Sequence, residues 1–383
     1  MKRYEALPVP SGRYTVGRTQ MDFKFKASDD SERELTAIFF YPADSSEGKP
    51  TAEYAFPEFP QLWDNYMAAS GVKIGYRFNF EIQTWCYEDV ALSKQEERYP
   101  VVFYNHGGTT YPEQNTAVCQ ELASEGYIVV SVAHPGSGAF RMKDGRVVDF
   151  TEGFLDTLNS FNTQPAMIQY AAELMGGIKL ERERALELSR LVLSPPESLR
   201  MGQYAELQSE DLSYVADCLY QMDSGEIESM FKGRLRLGLG LGSFGHSFGG
   251  ATSAIVARKD DRFVCAIDYD GGMMGSLGYD MKKPFLMIGS TVSYNLDGVP
   301  MEENSEISLF ALLSDVVHFD FGDFAFTANE NALEMGMRGP RDPMEIHKIL
   351  TTYTKAFFDK YLLKEDVDIE SISFDGVELF DRY

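Results

Sequence analysis

The chain has 383 residues, 44% of them hydrophobic and 25% charged, enough to bury a core without disulfide or metal staples. Its formal net charge of −24 argues against a nucleic-acid partner and against docking on anionic lipid. Four widely spaced cysteines form no C-x-x-C pair, and Met1-Lys2-Arg3 leads into Tyr, Glu and prolines rather than an apolar run. Reduced thiols, no integral membrane segment and a cytoplasmic location are therefore expected.

Residues 1–60 mix short strand signals with proline turns. Leu35–Tyr41 is the clearest strand there, ending at Pro42. Residues 61–99 are aromatic and irregular and are expected to pack over a sheet edge. A repeating βα pattern begins at Tyr99-Pro100. Val101–Tyr104 reads as a short buried strand ending in Asn105-His106-Gly107-Gly108. A helix is predicted from about Glu113 to a stop at Gly126. Tyr127–Val132 is the next strand. Residues 151–232 are helical by composition, over Ala166–Met175, Lys179–Leu193 and Asp211–Met222, with a break at Pro195-Pro196. Residues 151–210 read as a helical insertion before the next strand.

Leu239–Ala254 then reads LGLGSFGHSFGGATSA. Gly245-His246-Ser247-Phe248-Gly249 is a G-x-S-x-G pentapeptide. Alone it is a weak signal, and its flanks decide. An apolar strand is expected over Arg234–Phe244, and a small-residue helix after Ser247. That is the pattern of a nucleophile elbow, in which a strand turns sharply into a helix and presents a serine. Further strands are expected at Phe263–Ile267, Pro284–Ile288 and Ile307–Leu313. A final helix is predicted from Asp342-Pro343 to Leu363. Strands alternating with helices imply one α/β domain over residues 1–383. Its mostly parallel central sheet would be covered by helices on both faces, with functional loops at the carboxyl ends of the strands.

A serine hydroxyl needs a base, and the base an orienting carboxylate. In this architecture the chain order is Ser, acid, His. Only His318 and His347 follow Ser247. His347 falls inside the final helix, one position off its inner stripe, which suits a surface or structural role. His318 falls in a loop after a strand and is the candidate base. Asp270 is the favoured acid because it adjoins the Gly271-Gly272 turn. Asp268, two residues earlier, is the alternative and otherwise a helix cap or sheet-edge residue; Asp315 is a more distant third. The oxyanion amides are assigned to Gly108, in the H-G-G loop, and to Phe248, after the nucleophile. His106, His134 and His246 are read as structural. No metal-ligand spacing and no phosphate-binding loop are present, so no cofactor and no metal are expected. Gly240–Gly245 matches G-x-G-x-x-G, but its last glycine opens the elbow, which disfavours a dinucleotide site.

These residues resemble the plasma-type platelet-activating-factor acetylhydrolases and their bacterial esterase relatives, within the α/β-hydrolase superfamily. The likeness lies in GHSFGGAT at Gly245–Thr252, DRFVCAIDYDGGM at Asp261–Met273 and VVHFDFGDFAF at Val316–Phe326. The NHGG loop and PSGRYTVGRTQMDF near the N-terminus add to it. The resemblance implies an α/β-hydrolase fold and a calcium-independent serine esterase. Its triad would be Ser247, Asp270 and His318, with Gly108 and Phe248 at the oxyanion and a short-chain small-molecule or lipid ester as substrate. Gly271-Gly272 departs from the bulky residues expected after the acid, which implies an acyl pocket that is wider or differently shaped. A peptidase or acyltransferase on the same residues is the alternative chemistry, and a non-catalytic binding protein of the same fold is the alternative class.

Overall fold

Two long antiparallel strands, β1 (Thr15–Lys26) and β2 (Glu32–Ala43), open the fold. The computed structural model describes residues 4–69, 78–173, 177–328, 331–334 and 336–381. β2 runs past Pro42, where the sequence suggests a stop. The Pro42 carbonyl accepts from Ser93 N–H, so its backbone polar edge faces away from β1 and its missing N–H costs no ladder bond. Helix α1 (Phe59–Ala69) and the edge strand β3 (Cys86–Glu88) occupy the segment expected to be irregular; residues 70–77 of it lie outside the described residues.

β4 (Val101–Asn105), α2 (Thr116–Ser124) and β5 (Ile128–Val132) form the first βα repeat. A small hairpin, β6 (Phe140–Arg141) and β7 (Val147–Val148), follows. Four helices come next: α3 (Glu152–Thr163), α4 (Pro165–Glu173), α5 (Arg182–Leu193) and α6 (Pro196–Ser224). Leu174 and Met175, the expected end of α4, lie outside the described residues. The break at Pro195-Pro196 is present. Beyond it α6 runs unbroken for 29 residues, so an insertion ending at residue 210 would stop in mid-helix. No proline interrupts it, and its buried stripe continues from Met201 and Ala205 through Leu212 to Met222.

The nucleophile strand is shorter than expected. β8 spans Leu241–His246, not Arg234–Phe244. Gly240 sits at φ +86° after a tight turn, and the Arg234 guanidinium is occupied by carbonyls of Ser93, Glu96 and Glu97. α7 (Phe248–Lys259), β9 (Phe263–Tyr269), β10 (Phe285–Gly289), α8 (Thr291–Glu303) and β11 (Ser308–Leu313) follow. Sequence patterning missed α8, because Gly298 and Pro300 inside it hide the helical signal. Two short helices, α9 (Phe324–Thr327) and α10 (Asn331–Glu334), lead to α11 (Pro343–Tyr361), whose first turn is capped by Asp342 accepting from Met344 N–H. A last strand, β12 (Val377–Asp381), also missed, pairs antiparallel with β11.

The ten strands lie in the order β12-β11-β10-β9-β8-β4-β5-β2-β1-β3, parallel through the middle. Alternate residues feed opposite cores: Val101 and Phe103 pack towards α6 and α7, Val102 and Tyr104 towards α2 and α11. This is the mixed, mostly parallel sheet covered on both faces that the βα pattern implies. It sets the carboxyl ends of β4, β8, β9 and β10 side by side, with that of β11 next. The four cysteines are buried and unbridged. Among the described residues no helix is long and apolar enough to cross a membrane.

Candidate active site

The turn from β8 into α7 is built on close backbone contact. Ser247 takes φ 58° and ψ −124°, a strained conformation for a residue with a side chain. The strain is held from both sides. Ser247 N–H donates to Tyr269 O on β9, and Gly250 N–H donates to Ser247 O. A Cβ on Gly249 would lie 2.1 Å from Asn105 O, so α7 can approach β4 only with glycine there.

β9, β8 and the chain after β11 deliver three side chains to one point. Ser247 Oγ lies 2.9 Å from His318 Nε2, and His318 Nδ1 lies 2.9 Å from Asp270 Oδ2. Asp270 is wholly buried at its side chain, whereas His318 is 39% exposed, so solvent reaches the imidazole but not the carboxylate. Ser290 N–H and Ser293 Oγ donate to the other Asp270 oxygen at 2.6 and 2.8 Å. Burial alone would raise the Asp270 carboxyl. The hydrogen bond and charge of His318, with the Ser290 bond, outweigh it and hold the group below the usual aspartate value. An ionised Asp270 fixes the tautomer: Nδ1–H donates to it, and Nε2 is left to accept from the Ser247 hydroxyl.

Asp268 takes no part in this line. It lies on an interior strand, which excludes a sheet-edge role, and it caps no helix. Its Oδ1 accepts from Gly271 N–H at 2.8 Å, and burial pushes its carboxyl well up, towards the neutral form. Asp315 is exposed and takes a bond from Ser314 instead. His347 is buried against Phe326 in α11, and burial lowers it to about 4.

Gly108 and Phe248 lie against each other next to the serine. A Cβ on Gly108 would lie 3.7 Å from that of Phe248, and neither N–H has a partner among the described residues. The Phe248 amide is one of the free donors of the first turn of α7. His106 supports the loop: Nδ1–H donates to Gly107 O and Nε2 accepts from His134 N–H, and burial lowers the ring to about 3.

Of the wider or differently shaped pocket expected beside Gly271-Gly272, the added width is not there. A Cβ on Gly271 would strike Ser247 O at 2.3 Å, and one on Gly272 would strike Met274 Sδ and Leu296 Cδ2 at 2.8 and 2.9 Å. Main chain, Met274 and Leu296 already fill the space that bulky residues would take.

Sequence reasoning missed two glutamines. Gln114 accepts from Gly107 N–H and donates to His246 Nδ1. Gln208, on α6, donates to Ser137 Oγ and accepts from Thr252 Oγ. Neither carries a local signal for this role, since Gln114 reaches His246 132 residues on and both partners of Gln208 are far away in the chain. Ser290 and Ser293 could have been suspected from their place at the carboxyl end of β10.

A family model described as platelet-activating factor acetylhydrolase, isoform II, matches residues 1–144 and 222–378. The chain is 24% identical to the platelet-activating factor acetylhydrolase of Gallus gallus, with 97% of this chain and 87% of that protein covered. It is 23% identical to that of Cavia porcellus, covering 94% and 78%. A solved ferulic acid esterase from Streptomyces cinnamoneus superposes with a TM-score of 0.70 at 17% identity, over 98% of this chain and 99% of that one. That likeness identifies the α/β-hydrolase fold.

Proposed function

The chain belongs to the platelet-activating factor acetylhydrolase isoform II family and is a carboxylic ester hydrolase, and on that premise we propose that it cleaves short-chain acyl esters through an acyl-enzyme on Ser247. The observation that carries the reading is the line from Ser247 Oγ through His318 to Asp270, 2.9 Å at each step.

Ser247 Oγ attacks the ester carbonyl carbon while His318 Nε2 takes its proton. Asp270 stabilises the imidazolium and keeps the ring in register. The carbonyl oxygen, now an anion, is held by the amides of Gly108 and Phe248. The carbon–oxygen bond to the alcohol breaks as His318 returns its proton to the leaving oxygen. Water, deprotonated by His318, then attacks the acyl-enzyme. The new intermediate collapses, the acid leaves, and the Ser247 hydroxyl is restored. The relatives' names, acetylhydrolases, support a small acyl group.

Ser247→Ala should lower turnover of p-nitrophenyl acetate by about a thousandfold or more, while leaving the fold intact. Turnover that survives in a folded Ser247→Ala protein would sink the reading.

A further inference from the structure

We propose that Phe154, in the first turn of α3, is the stop that limits the length of acyl group this site accepts. The inference rests on the ester-hydrolase reading above. The tetrahedral carbon formed on Ser247 has four directions to fill. One is the Ser247 oxygen. The carbonyl oxygen turns to Gly108 and Phe248. The leaving oxygen must take a proton from His318 Nε2, so the alcohol lies on the His318 side. The acyl chain takes the fourth direction, away from His318, which in this proposal lies against Phe154 where it packs on Gly108 and the Phe248 ring.

That side is filled. The Phe154 ring lies with its Cζ 3.1 Å from where a Cβ on Gly108 would stand. Its centroid is 5.6 Å from that of Phe248 and 5.3 Å from that of Tyr204 on α6. It is fully buried, in one apolar cluster with Phe248, Met274 and Leu296. The start of α3 is tied down as well: Thr151 N–H donates to Gly136 O at 2.9 Å, and Thr151 Oγ accepts from Phe154 N–H. An acyl group of a few carbons ends before the ring. A fatty acyl chain must displace it. Phe154 lies outside the two spans that match the family model.

The test is a series of p-nitrophenyl esters from acetate to octanoate, on the wild type and on Phe154→Ala and Phe154→Leu. The wild type should favour acetate. The octanoate-to-acetate ratio of kcat/KM should rise by about tenfold or more in Phe154→Ala, and by less in Phe154→Leu. A ratio within about twofold of wild type in a variant with a native circular dichroism spectrum overturns the stop. Where Phe154→Ala does not fold, the milder Phe154→Leu decides. A wild type that already prefers octanoate also overturns it. A wild type inert towards every ester would instead remove the ester-hydrolase reading itself, and this inference with it.

Discussion

His246 Nε2 lies 2.9 Å from the backbone carbonyl of His318, and the two rings stand 4.7 Å apart. A carbonyl only accepts, so Nε2 carries the proton, and Nδ1 accepts from Gln114. Burial, and then the neighbouring His318 charge, lower His246 to about 3, which keeps it neutral. The residue before the candidate nucleophile therefore holds the backbone of the candidate base. Through Gln114 it also ties that backbone to Gly107.

Removing this tie should misplace the imidazole without changing its chemistry. His246→Leu should lower kcat on p-nitrophenyl acetate by about tenfold to a hundredfold, with KM little changed. Steady-state kinetics on the folded variant check it; an unchanged kcat would show that the carbonyl contact is dispensable.

Gln208 spans the two halves of the proposed oxyanion site. Its amide nitrogen holds Ser137, whose carbonyl accepts from Thr109 N–H beside Gly108. Its amide oxygen takes the Thr252 hydroxyl, which lies 3.2 Å from Phe248 O. Gln208→Leu should let the two amides drift apart and cost about tenfold or more in kcat, with a smaller effect on KM. A fall confined to thermal stability, with kcat retained, would make Gln208 a packing residue only.

Gly249 should tolerate no side chain. Gly249→Ala drives a methyl into the main-chain oxygen of Asn105, which cannot give way as a side chain would, and should cost about 3 kcal/mol or more of stability. Gly238→Ala, with nothing within 4 Å of its Cβ position, should stay within about 0.5 kcal/mol of wild type. Urea unfolding of both variants compares them directly.

Asp320 supplies a pH dependence. Its Oδ2 accepts from Val317 and Gly339 N–H, both at 2.8 Å, and so fixes the approach to His318. Burial pushes the carboxyl up to about 6. The folded protein thus binds this proton more tightly than the unfolded chain, where aspartate titrates near about 4. Its contribution to stability is fully present below about pH 4 and is lost as pH rises through about 6. Asp320→Asn removes that dependence. Relative to wild type, the variant should gain about 2 kcal/mol between pH 4 and pH 7. Urea titrations at the two pH values measure the difference, and a pH-independent offset would contradict it.

The elbow could be read from its spacing because Gly245 and Gly249 meet within one turn, where a Cβ on Gly245 would lie 2.3 Å from Gly249 main chain. Gly249 and Gly250 are required as well by distant groups, Asn105 O and the Asp268 carboxyl. Asp270 and His318 could be picked out because parallel-sheet order and strand ends restrict where an acid and a base can stand. The sheet edges were not legible in this way. β12 and the full length of β1 depend on partners elsewhere in the chain, and Pro300 disguised α8.

What lies around the serine was decided only when distant segments met. Gln114 and Gln208 are ordinary helix residues by sequence, and their hydrogen bonds reach over 100 residues in one case and about 40 to 70 in the other. The space beside Gly271-Gly272 looked open because glycines have no side chains. It is closed by Leu296 from a helix the pattern did not reveal. Backbone strain at the elbow turn acts over a few residues and leaves a signature there. Side-chain packing and long-range hydrogen bonds do not, so the shape of the pocket around Ser247 belongs to the tertiary structure.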